Sequence, residues 1–207
     1  MSVRPVPPRR VPDGRVVLAT GNAGKQRELA ALLAPLGIEI LLQTALGITA
    51  AEETGTTFEA NALLKARHAA RESRLPALAD DSGLEVDALE GRPGVWSARY
   101  AGPDASDEAN NAKLLAELAG VPPARRTARY RCVIAFVRDA DDPAPLIAEG
   151  AWEGSIGEAP LGTGGFGYDP LFWPRGVAMT AAQMDAAAKN AVSHRGLALA
   201  ELLRKLA

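Results

Sequence analysis

Two adjacent carboxylates, Asp80 and Asp81, are the densest chemical signal in the chain. Short apolar runs flank them and Ser82-Gly83 follows, so the segment is predicted to be a strand that ends in two acids at a turn. Aspartate oxygens are hard ligands that suit Mg²⁺. Taken alone, however, the pair is explained better by capping of the turn.

A second acid pair, Glu52-Glu53, precedes a predicted helix, where the carboxylates would favour the helix dipole. Both acid pairs are predicted to lie at the ends of elements, where they could converge on one cation. An acid beside that cation could orient or deprotonate a water molecule. The acids are therefore a candidate metal and catalytic centre, provided that other segments supply the rest of a phosphate site.

The loop Thr20–Lys25 lies between a predicted strand and a predicted helix. Free N–H groups and the dipole at a helix N-terminus favour an anion. Gly21 and Gly24 let the backbone approach it closely, and Lys25 adds a positive charge. The spacing is not that of a Walker nucleotide loop, and an ordinary strand–helix turn explains the loop alone slightly better.

The glycine-rich segment Gly162–Pro170 has the features of a base-binding loop. Phe166 or Tyr168 could stack on a base, and Asp169 could accept a hydrogen bond from a base N–H. The alternative is a flexible hairpin loop. The two aromatic residues and the Asp-Pro dipeptide that ends the segment favour binding of a base, because a flexible loop seldom needs them.

Basic residues surround a predicted helix junction, with Ser193 as the N-cap. They are Lys189, His194 and Arg195. Arg195 at a helix N-terminus opposes the helix dipole. A residue that works against local preference favours a role in ligand binding.

Hydrophobic periodicity predicts the elements that position these segments. Strands are predicted at Val16–Ala19, Ile38–Leu42, Ala77–Asp80, Leu84–Ala88, Thr127–Arg138 and Ile147–Trp152. A first helix is predicted through Leu29, Leu32, Leu33 and Leu36 and ends at Gly37. A second begins at a Thr56–Glu59 capping box and runs to about Ser73. Further helices are predicted over Asp107–Ala119, near Ala181–Lys189 and over Arg195–Leu206. Strands interleaved with helices indicate an α/β fold.

Composition excludes several classes of protein. The chain has 207 residues, 47% of them hydrophobic, and a net charge of -2, which is unlike a dedicated nucleic-acid binder. Its one cysteine, Cys132, forms no disulfide within the chain, which fits a cytoplasmic location. No apolar run approaches the roughly 18 residues of a membrane span. Residues 1–14, rich in proline and arginine, are predicted to be a disordered extension before one domain at 15–207.

Four segments occur in the same order in one known family: Thr20-x-Asn22-x-x-Lys25, Ala79–Leu84, Gly165–Pro170 and Ser193–Gly196. On these motifs, the chain from about Arg15 onward resembles the inosine/xanthosine triphosphate pyrophosphatase family, also called Ham1-like. Each motif alone is weak, but four in order are a specific match.

The resemblance implies an elongated mixed β-sheet flanked by helices, with two lobes around a central cleft, in a homodimer. It implies Mg²⁺-dependent hydrolysis of ITP, dITP and XTP to the monophosphate and pyrophosphate. Asp81 would be the general base and a metal ligand, with Glu52 as the second metal ligand. The implied substrate-binding residues are Thr20, Gly21, Asn22, Ala23, Gly24, Lys25, Lys65, Ser82, Phe166, Gly167, Tyr168, Asp169, Lys189, His194 and Arg195.

Base selection is expected to follow hydrogen bonding. A donor from His194, Arg195 or the nearby backbone would bond the 6-keto group of hypoxanthine or xanthine and meet a second donor in adenine. Two other functions remain open: a related house-cleaning enzyme for pyrimidine or modified nucleotides, and a sensor that binds ITP or XTP without cleaving it. Binding to nucleic acid or to a membrane is not expected.

Overall fold

The structure, a computed structural model, describes residues 14–34 and 38–206, and six strands form one sheet within them. The strands are β1 (Arg15–Leu18), β2 (Glu39–Leu42), β3 (Ala77–Val86), β4 (Thr127–Val137), β5 (Leu146–Ile156) and β6 (Phe172–Pro174). The helices are α1 (Ala23–Leu33), α2 (Phe58–Ser73), α3 (Asp107–Glu117), α4 (Ala186–Val192) and α5 (His194–Leu206). Short 3₁₀ turns span Asp87–Leu89, Gly94–Arg99, Pro123–Arg125 and Ala181–Gln183.

The sheet is mixed, with the strand order β2-β1-β3-β4-β5-β6. β1 runs parallel to β2 and β3, whereas each later pair from β3 to β6 is antiparallel. Helices pack on both faces of the sheet. The predicted α/β fold, a mixed sheet flanked by helices, is confirmed.

Alternation of side chains along the strands divides the core between the two faces. On one face, the alanines of α2 pack against Val133 and Val137 of β4. On the other face, leucines of α1 and α5 pack against Cys132 and Ile134, so Cys132 is a core residue. A third cluster, which includes Leu114 of α3, covers the far end of the sheet.

The prediction that a strand ends at the acid pair is wrong. β3 continues through both acids to Val86, and Asp81 pairs with Val133 of β4 in an unbroken ladder. Gly83 makes no turn. A Cβ at Gly83 would overlap the carbonyl oxygen of Gly94, so this glycine permits the close approach of the 3₁₀ turn that begins there. Pairing with β4 has overridden the turn preference of Ser-Gly.

Other predicted boundaries differ by smaller amounts. Helix α2 has Thr57 as its N-cap, one residue after the predicted Thr56, because the Thr57 hydroxyl accepts from the N–H of Ala60. The helix predicted near Ala181–Lys189 is a 3₁₀ turn followed by α4, which has its own N-cap at Asp185.

Some predictions fall on parts of the chain that the structure does not describe. The predicted end of the first helix at Leu36 and Gly37 lies outside the described residues, as does the extension up to residue 13. Among the helices in 14–34 and 38–206, none is long and apolar enough to cross a membrane.

Candidate active site

Two adjoining cavities form one cleft beside the central part of β3. The larger, of about 280 Å³, is lined by the glycine-rich loop and the junction between α4 and α5. The smaller, of about 170 Å³, is lined by Glu53, Lys65 and Asp81 among others. The two cavities share lining residues and therefore adjoin each other. The shared residues are Asn22, Lys25, Ser82 and Ala98.

Asp80 and Asp81 point to opposite faces of β3, because successive side chains of a strand alternate. The carboxylate of Asp81 contacts Asn61 and Lys65 of α2. The carboxylate of Asp80 contacts Lys25 of α1 and Arg195 of α5. The neighbouring acids therefore do not act as one pair.

Asp81 is held on both of its oxygens by α2. Lys65 Nζ lies 3.0 Å from Oδ1, and Asn61 Nδ2 lies 3.1 Å from Oδ2. Burial raises the pKa of Asp81, although Lys65 and Lys25 oppose the shift. A carboxylate with a raised pKa is a better proton acceptor near neutral pH.

Glu53 is the second acid of this centre. Its Oε1 lies 2.7 Å from Lys65 Nζ and its Oε2 lies 3.2 Å from Arg99 Nη1, so Lys65 bridges Glu53 and Asp81. Burial alone would raise the pKa of Glu53, but Lys65 and Arg99 hold it below its usual range. Glu52 is exposed and lines neither cavity. Its assignment as a metal ligand stays a prediction.

Asp80 anchors a buried network on the opposite face. Its side chain is 0% exposed, and its Oδ2 lies 3.1 Å from Lys25 Nζ and 3.3 Å from Arg195 Nη2. The hydroxyl of Ser82 donates to the same oxygen over 3.1 Å. Burial alone would raise the pKa of Asp80, but Lys25, Arg195 and Lys65 hold it well below its usual range. Asp80 therefore remains ionised and fixes two cations of the cleft.

Glu28 of α1 extends this network and was not predicted. It accepts from Arg195 and, over 2.8 Å, from Lys189 Nζ, which also lies 2.5 Å from Asp169 Oδ2. Arg195 is paired with the carboxylates of Glu28 and Asp80, which explains why an arginine is tolerated at a helix N-terminus. In the sequence Glu28 is one polar position of an amphipathic helix, and nothing local distinguishes it.

The N-terminus of α1 faces the cleft. The side chain of Asn22 caps it by accepting from the N–H of Lys25 over 3.0 Å. Helix geometry leaves the N–H groups of Ala23 and Gly24 without an intrahelical acceptor. A Cβ at Gly24 would lie 2.6 Å from the ring of Phe166, so this glycine lets the glycine-rich loop pack against α1.

The larger cavity is organised around Asp169. Its Oδ2 accepts from the N–H of Phe166 over 2.9 Å, and its Oδ1 accepts from the hydroxyl of Tyr130 over 3.3 Å. The ring of Tyr130 stacks on His194 at a centroid distance of 4.6 Å. Tyr168 is 3% exposed and donates its hydroxyl to the carbonyl of Ser97, so Phe166 is the more accessible aromatic ring of the loop.

His194 lies in the wall of the larger cavity in its neutral form. Burial, together with the positive charge of Arg195, lowers its pKa well below the usual value. Its Nδ1 is buried and has no hydrogen-bond partner within the described residues. A neutral imidazole offers one donor and one acceptor nitrogen, so His194 can bond to a polar group of a ligand.

The cleft fits a divalent cation that is shared with a phosphate ligand. No group of three or more His, Cys, Asp or Glu side chains in residues 14–34 and 38–206 is arranged to hold a metal. Asp81 and Glu53 nevertheless face one cavity, and Mg²⁺ is commonly held by one or two carboxylates plus water and phosphate oxygens. The cations of the cleft are already paired with acids, so a divalent ion would add the charge that a polyphosphate needs.

Most of the predicted catalytic, metal-binding and substrate-binding residues line this cleft, but three of them do not. Those that do are Thr20, Gly21, Asn22, Lys25, Lys65, Asp81, Ser82, Phe166, Gly167, Tyr168, Asp169, Lys189, His194 and Arg195. Ala23, Gly24 and Glu52 line neither cavity. Gln43, Ser97 and Tyr130 line the cleft without having been predicted. The alternation along β4 marks Tyr130 only as inward-facing, which does not separate a cleft residue from a core residue.

Comparison with known proteins gives consistent matches over nearly the whole chain. A model of the Ham1 family matches residues 16–205. The chain is 61% identical over 192 residues to a dITP/XTP pyrophosphatase of Methylococcus capsulatus, covering 93% of this chain and 96% of that protein. It is 55% identical over 192 residues to a dITP/XTP pyrophosphatase of Escherichia coli strain K12, covering 93% and 98%. Its fold is similar to the solved structure of a HAM1 protein from Coxiella burnetii, with a TM-score of 0.85 at 48% identity, covering 93% and 98%.

Proposed function

The chain belongs to the Ham1 family, and we propose that it hydrolyses the non-standard purine nucleotides ITP, dITP and XTP to the monophosphate and pyrophosphate. The family resemblance predicted from four short motifs is confirmed. Relatives that are 55% and 61% identical over 93% of the chain are dITP/XTP pyrophosphatases, which supports a hydrolase that removes such nucleotides from the pool.

One observation supports the assignment of the two ends of the cleft: the larger and the smaller cavity adjoin at Asn22, Lys25 and Ser82. The smaller cavity contains the acid centre and the N-terminus of α1, which suits the triphosphate. The larger cavity contains aromatic and hydrogen-bonding groups, which suits a base. A nucleotide bound across both would present its α-phosphate near Asp81.

Asp81 is the proposed general base. A water molecule attacks the α-phosphorus, the bond to the bridging oxygen breaks, and pyrophosphate leaves while the water proton passes to the Asp81 carboxylate. Lys65 and Asn61 orient that carboxylate. Lys25 and the first turn of α1 bind the triphosphate oxygens. No covalent intermediate is required, and the thiol of Cys132 is buried in the core.

Mg²⁺ is the proposed cofactor, held by Asp81 together with one of the acids of the 52–53 segment. Glu53 faces the cavity and is the better placed of the two, whereas Glu52 would have to turn inward. The bound ion would neutralise charge on the triphosphate oxygens.

Base selection is proposed to depend on the neutral His194 and its neighbours. Phe166 would stack on the purine, and a donor from His194, Lys189 or Arg195 would bond its 6-keto oxygen. Adenine presents a donor at the same position. An unpaired buried donor costs about 1–3 kcal/mol, so ATP would bind and react poorly.

A homodimer in the cytoplasm, without nucleic-acid or membrane partners, is proposed from the family resemblance. Trp96, 57% exposed, is a candidate for the dimer interface. The arginines of β4 are paired with acids: Arg129 with Asp87 and Glu153, and Arg131 with Glu149. Such pairing leaves little free positive charge for nucleic acid. Sedimentation of the purified chain tests the dimer.

The function is tested with one panel of substrates. ITP, XTP, dITP, GTP, ATP and dTTP are each incubated with and without Mg²⁺, and pyrophosphate and phosphate are measured separately. Mg²⁺-dependent release of pyrophosphate from ITP, dITP and XTP, with little from ATP, is expected. Phosphate as the sole product would contradict attack at the α-phosphorus. Preference for dTTP would favour a pyrimidine enzyme, and binding without turnover would favour a sensor.

A further inference from the structure

Helix α3 holds the peptide of Gly167 from outside the glycine-rich loop. Asp107 Oδ2 accepts from the N–H of Gly167 over 2.6 Å. Asn111 Nδ2, one turn further along α3, donates to the carbonyl oxygen of Gly167 over 2.9 Å. Both polar backbone groups of one residue are therefore bonded to one helix, which fixes the position and the orientation of that residue.

Fixing the backbone of Gly167 affects the larger cavity, where the base is proposed to bind. This residue has φ +62° and joins Phe166 to Tyr168. Other hydrogen bonds hold the residues on either side of Gly167. The N–H of Phe166 donates to Asp169 Oδ2, and the hydroxyl of Tyr168 donates to the carbonyl of Ser97. Without α3, the N–H and the carbonyl of Gly167 would lose these two hydrogen bonds. The carbonyl of Phe166 would keep the bond that it accepts from the N–H of Asp169 over 3.3 Å.

The side chain of Asn111 has no other evident purpose. Its Oδ1 is buried without a hydrogen-bond partner among the described residues. The side-chain hydrogen bond that Asn111 makes is the one from Nδ2 to the carbonyl of Gly167. A buried amide acceptor left unpaired carries a cost. If position 111 only packed against the core, as Leu114 of α3 does, leucine or alanine there would avoid that cost.

We propose that Asp107 and Asn111 are positioning residues that set base discrimination by holding the Gly167 peptide, and with it Phe166, against the larger cavity. The inference rests on the proposed function, because it assumes that the base binds in that cavity. Neither residue is needed for the chemistry at Asp81, which lies at the other end of the cleft.

Two alternatives exist for Asp107. It lines the larger cavity and could contact the base directly, which Asn111→Ala tests because Asn111 does not line that cavity. The other is that Asp107 serves only the helix. It lies in the first turn of α3, where an acid stabilises the helix dipole. Glu108 is the matched control, because it lies in the same turn and makes no hydrogen bond with the loop. Asp107→Ala and Glu108→Ala therefore remove the same charge from the same turn, but only the first releases the N–H of Gly167.

The experiment compares Asp107→Ala, Asp107→Asn, Asn111→Ala and Glu108→Ala with the unmodified chain. For each, KM and kcat are measured with ITP and ATP, together with inhibition by pyrophosphate and the melting temperature. In Asp107→Ala, we expect KM for ITP to rise about tenfold, the size of one lost charge-assisted hydrogen bond. We also expect the preference for ITP over ATP to fall, with inhibition by pyrophosphate unchanged. Asn111→Ala should shift these values in the same direction.

The remaining variants separate positioning from folding. Asp107→Asn keeps an acceptor for the N–H of Gly167 and should restore most of the preference. Equal KM and equal preference in Asp107→Ala and Glu108→Ala would overturn the inference. Inactivity of the unmodified chain on ITP, dITP and XTP would instead overturn the proposed function, so the two failures are distinguishable.

Discussion

Asn61 donates a hydrogen bond to Asp81, with 3.1 Å between Nδ2 and Oδ2. The side chain of Asn61 is 0% exposed, and its Oδ1 accepts from the N–H of Gly55 over 2.8 Å. One buried amide thus fixes both the proposed catalytic carboxylate and the segment that carries Glu53. Since both of its polar ends are engaged, the amide has one orientation.

Asn61→Leu is expected to lower kcat for ITP by roughly 10- to 100-fold with a smaller change in KM, because a hydrogen bond to a charged group is worth about 1.5–3 kcal/mol. Steady-state kinetics and urea unfolding measure the two effects. Asp142→Ala is the control, because it also removes a buried hydrogen-bonding side chain, outside the cleft. It should lose stability without loss of kcat. Equal kcat values for Asn61→Leu and the unmodified chain would remove Asn61 from the acid centre.

Asp81→Asn is expected to fold normally and to lose ITP hydrolysis by roughly 10²–10⁴-fold, because the amide cannot accept the proton of the attacking water. In that variant Lys65 keeps its pair with Glu53. The adjacent Asp80→Asn should instead lose stability, because Asp80 is fully buried and pairs with both Lys25 and Arg195, and breaking a buried ion pair costs about 3–5 kcal/mol. Pyrophosphate release and thermal unfolding of both variants are the measurements. Near-normal turnover by Asp81→Asn would sink its assignment as the base.

Glu53→Gln is expected to raise the Mg²⁺ concentration needed for half-maximal activity, whereas Glu52→Gln should resemble the unmodified chain. The reason is geometric: Glu53 lies with Lys65 and Asp81 in the smaller cavity, and Glu52 is exposed. A titration of Mg²⁺ at fixed ITP measures the effect. If Glu52→Gln alone shifts the titration, the ligand set predicted from the family resemblance is correct.

Stability is expected to fall as pH is lowered through about 6.5, the ordinary pKa of histidine. Burial lowers the pKa of His194 well below that value, so in this range the unfolded chain binds a proton that the folded chain does not. The limiting slope for one group is about 1.4 kcal/mol per pH unit. Urea unfolding between about pH 7.5 and pH 5.5, roughly one unit on either side of that pKa, measures the change in stability.

The control for this pH effect is the other histidine, His68, which is partly exposed on α2. His194→Phe keeps a ring to stack on Tyr130 and should flatten the slope, whereas His68→Gln should leave it unchanged. An unchanged slope in His194→Phe would show that another group causes the loss of stability at low pH.

Local signals in the sequence predicted much of the fold and the family. The apolar spacing of α5, the alternation in β4 and the Ser193 cap all describe residues close together in the chain. The cap is confirmed, because the Ser193 hydroxyl accepts from the N–H of Gly196. The two acids of β3 were correctly recognised as a polar interruption of an apolar run, but the predicted turn was wrong because β4 pairs through them.

The sequence by itself determined which side chains are available: the four ordered motifs, the paired acids and the basic helix junction. Only the tertiary structure decided which of them meet. Strand alternation sends Asp80 to Lys25 and Asp81 to Lys65, and packing brings Glu28 to Lys189, 161 positions away. Glu53 rather than Glu52 faces Asp81 for the same reason. Contacts between distant parts of a chain depend on how the elements pack, and residue type and spacing do not record that.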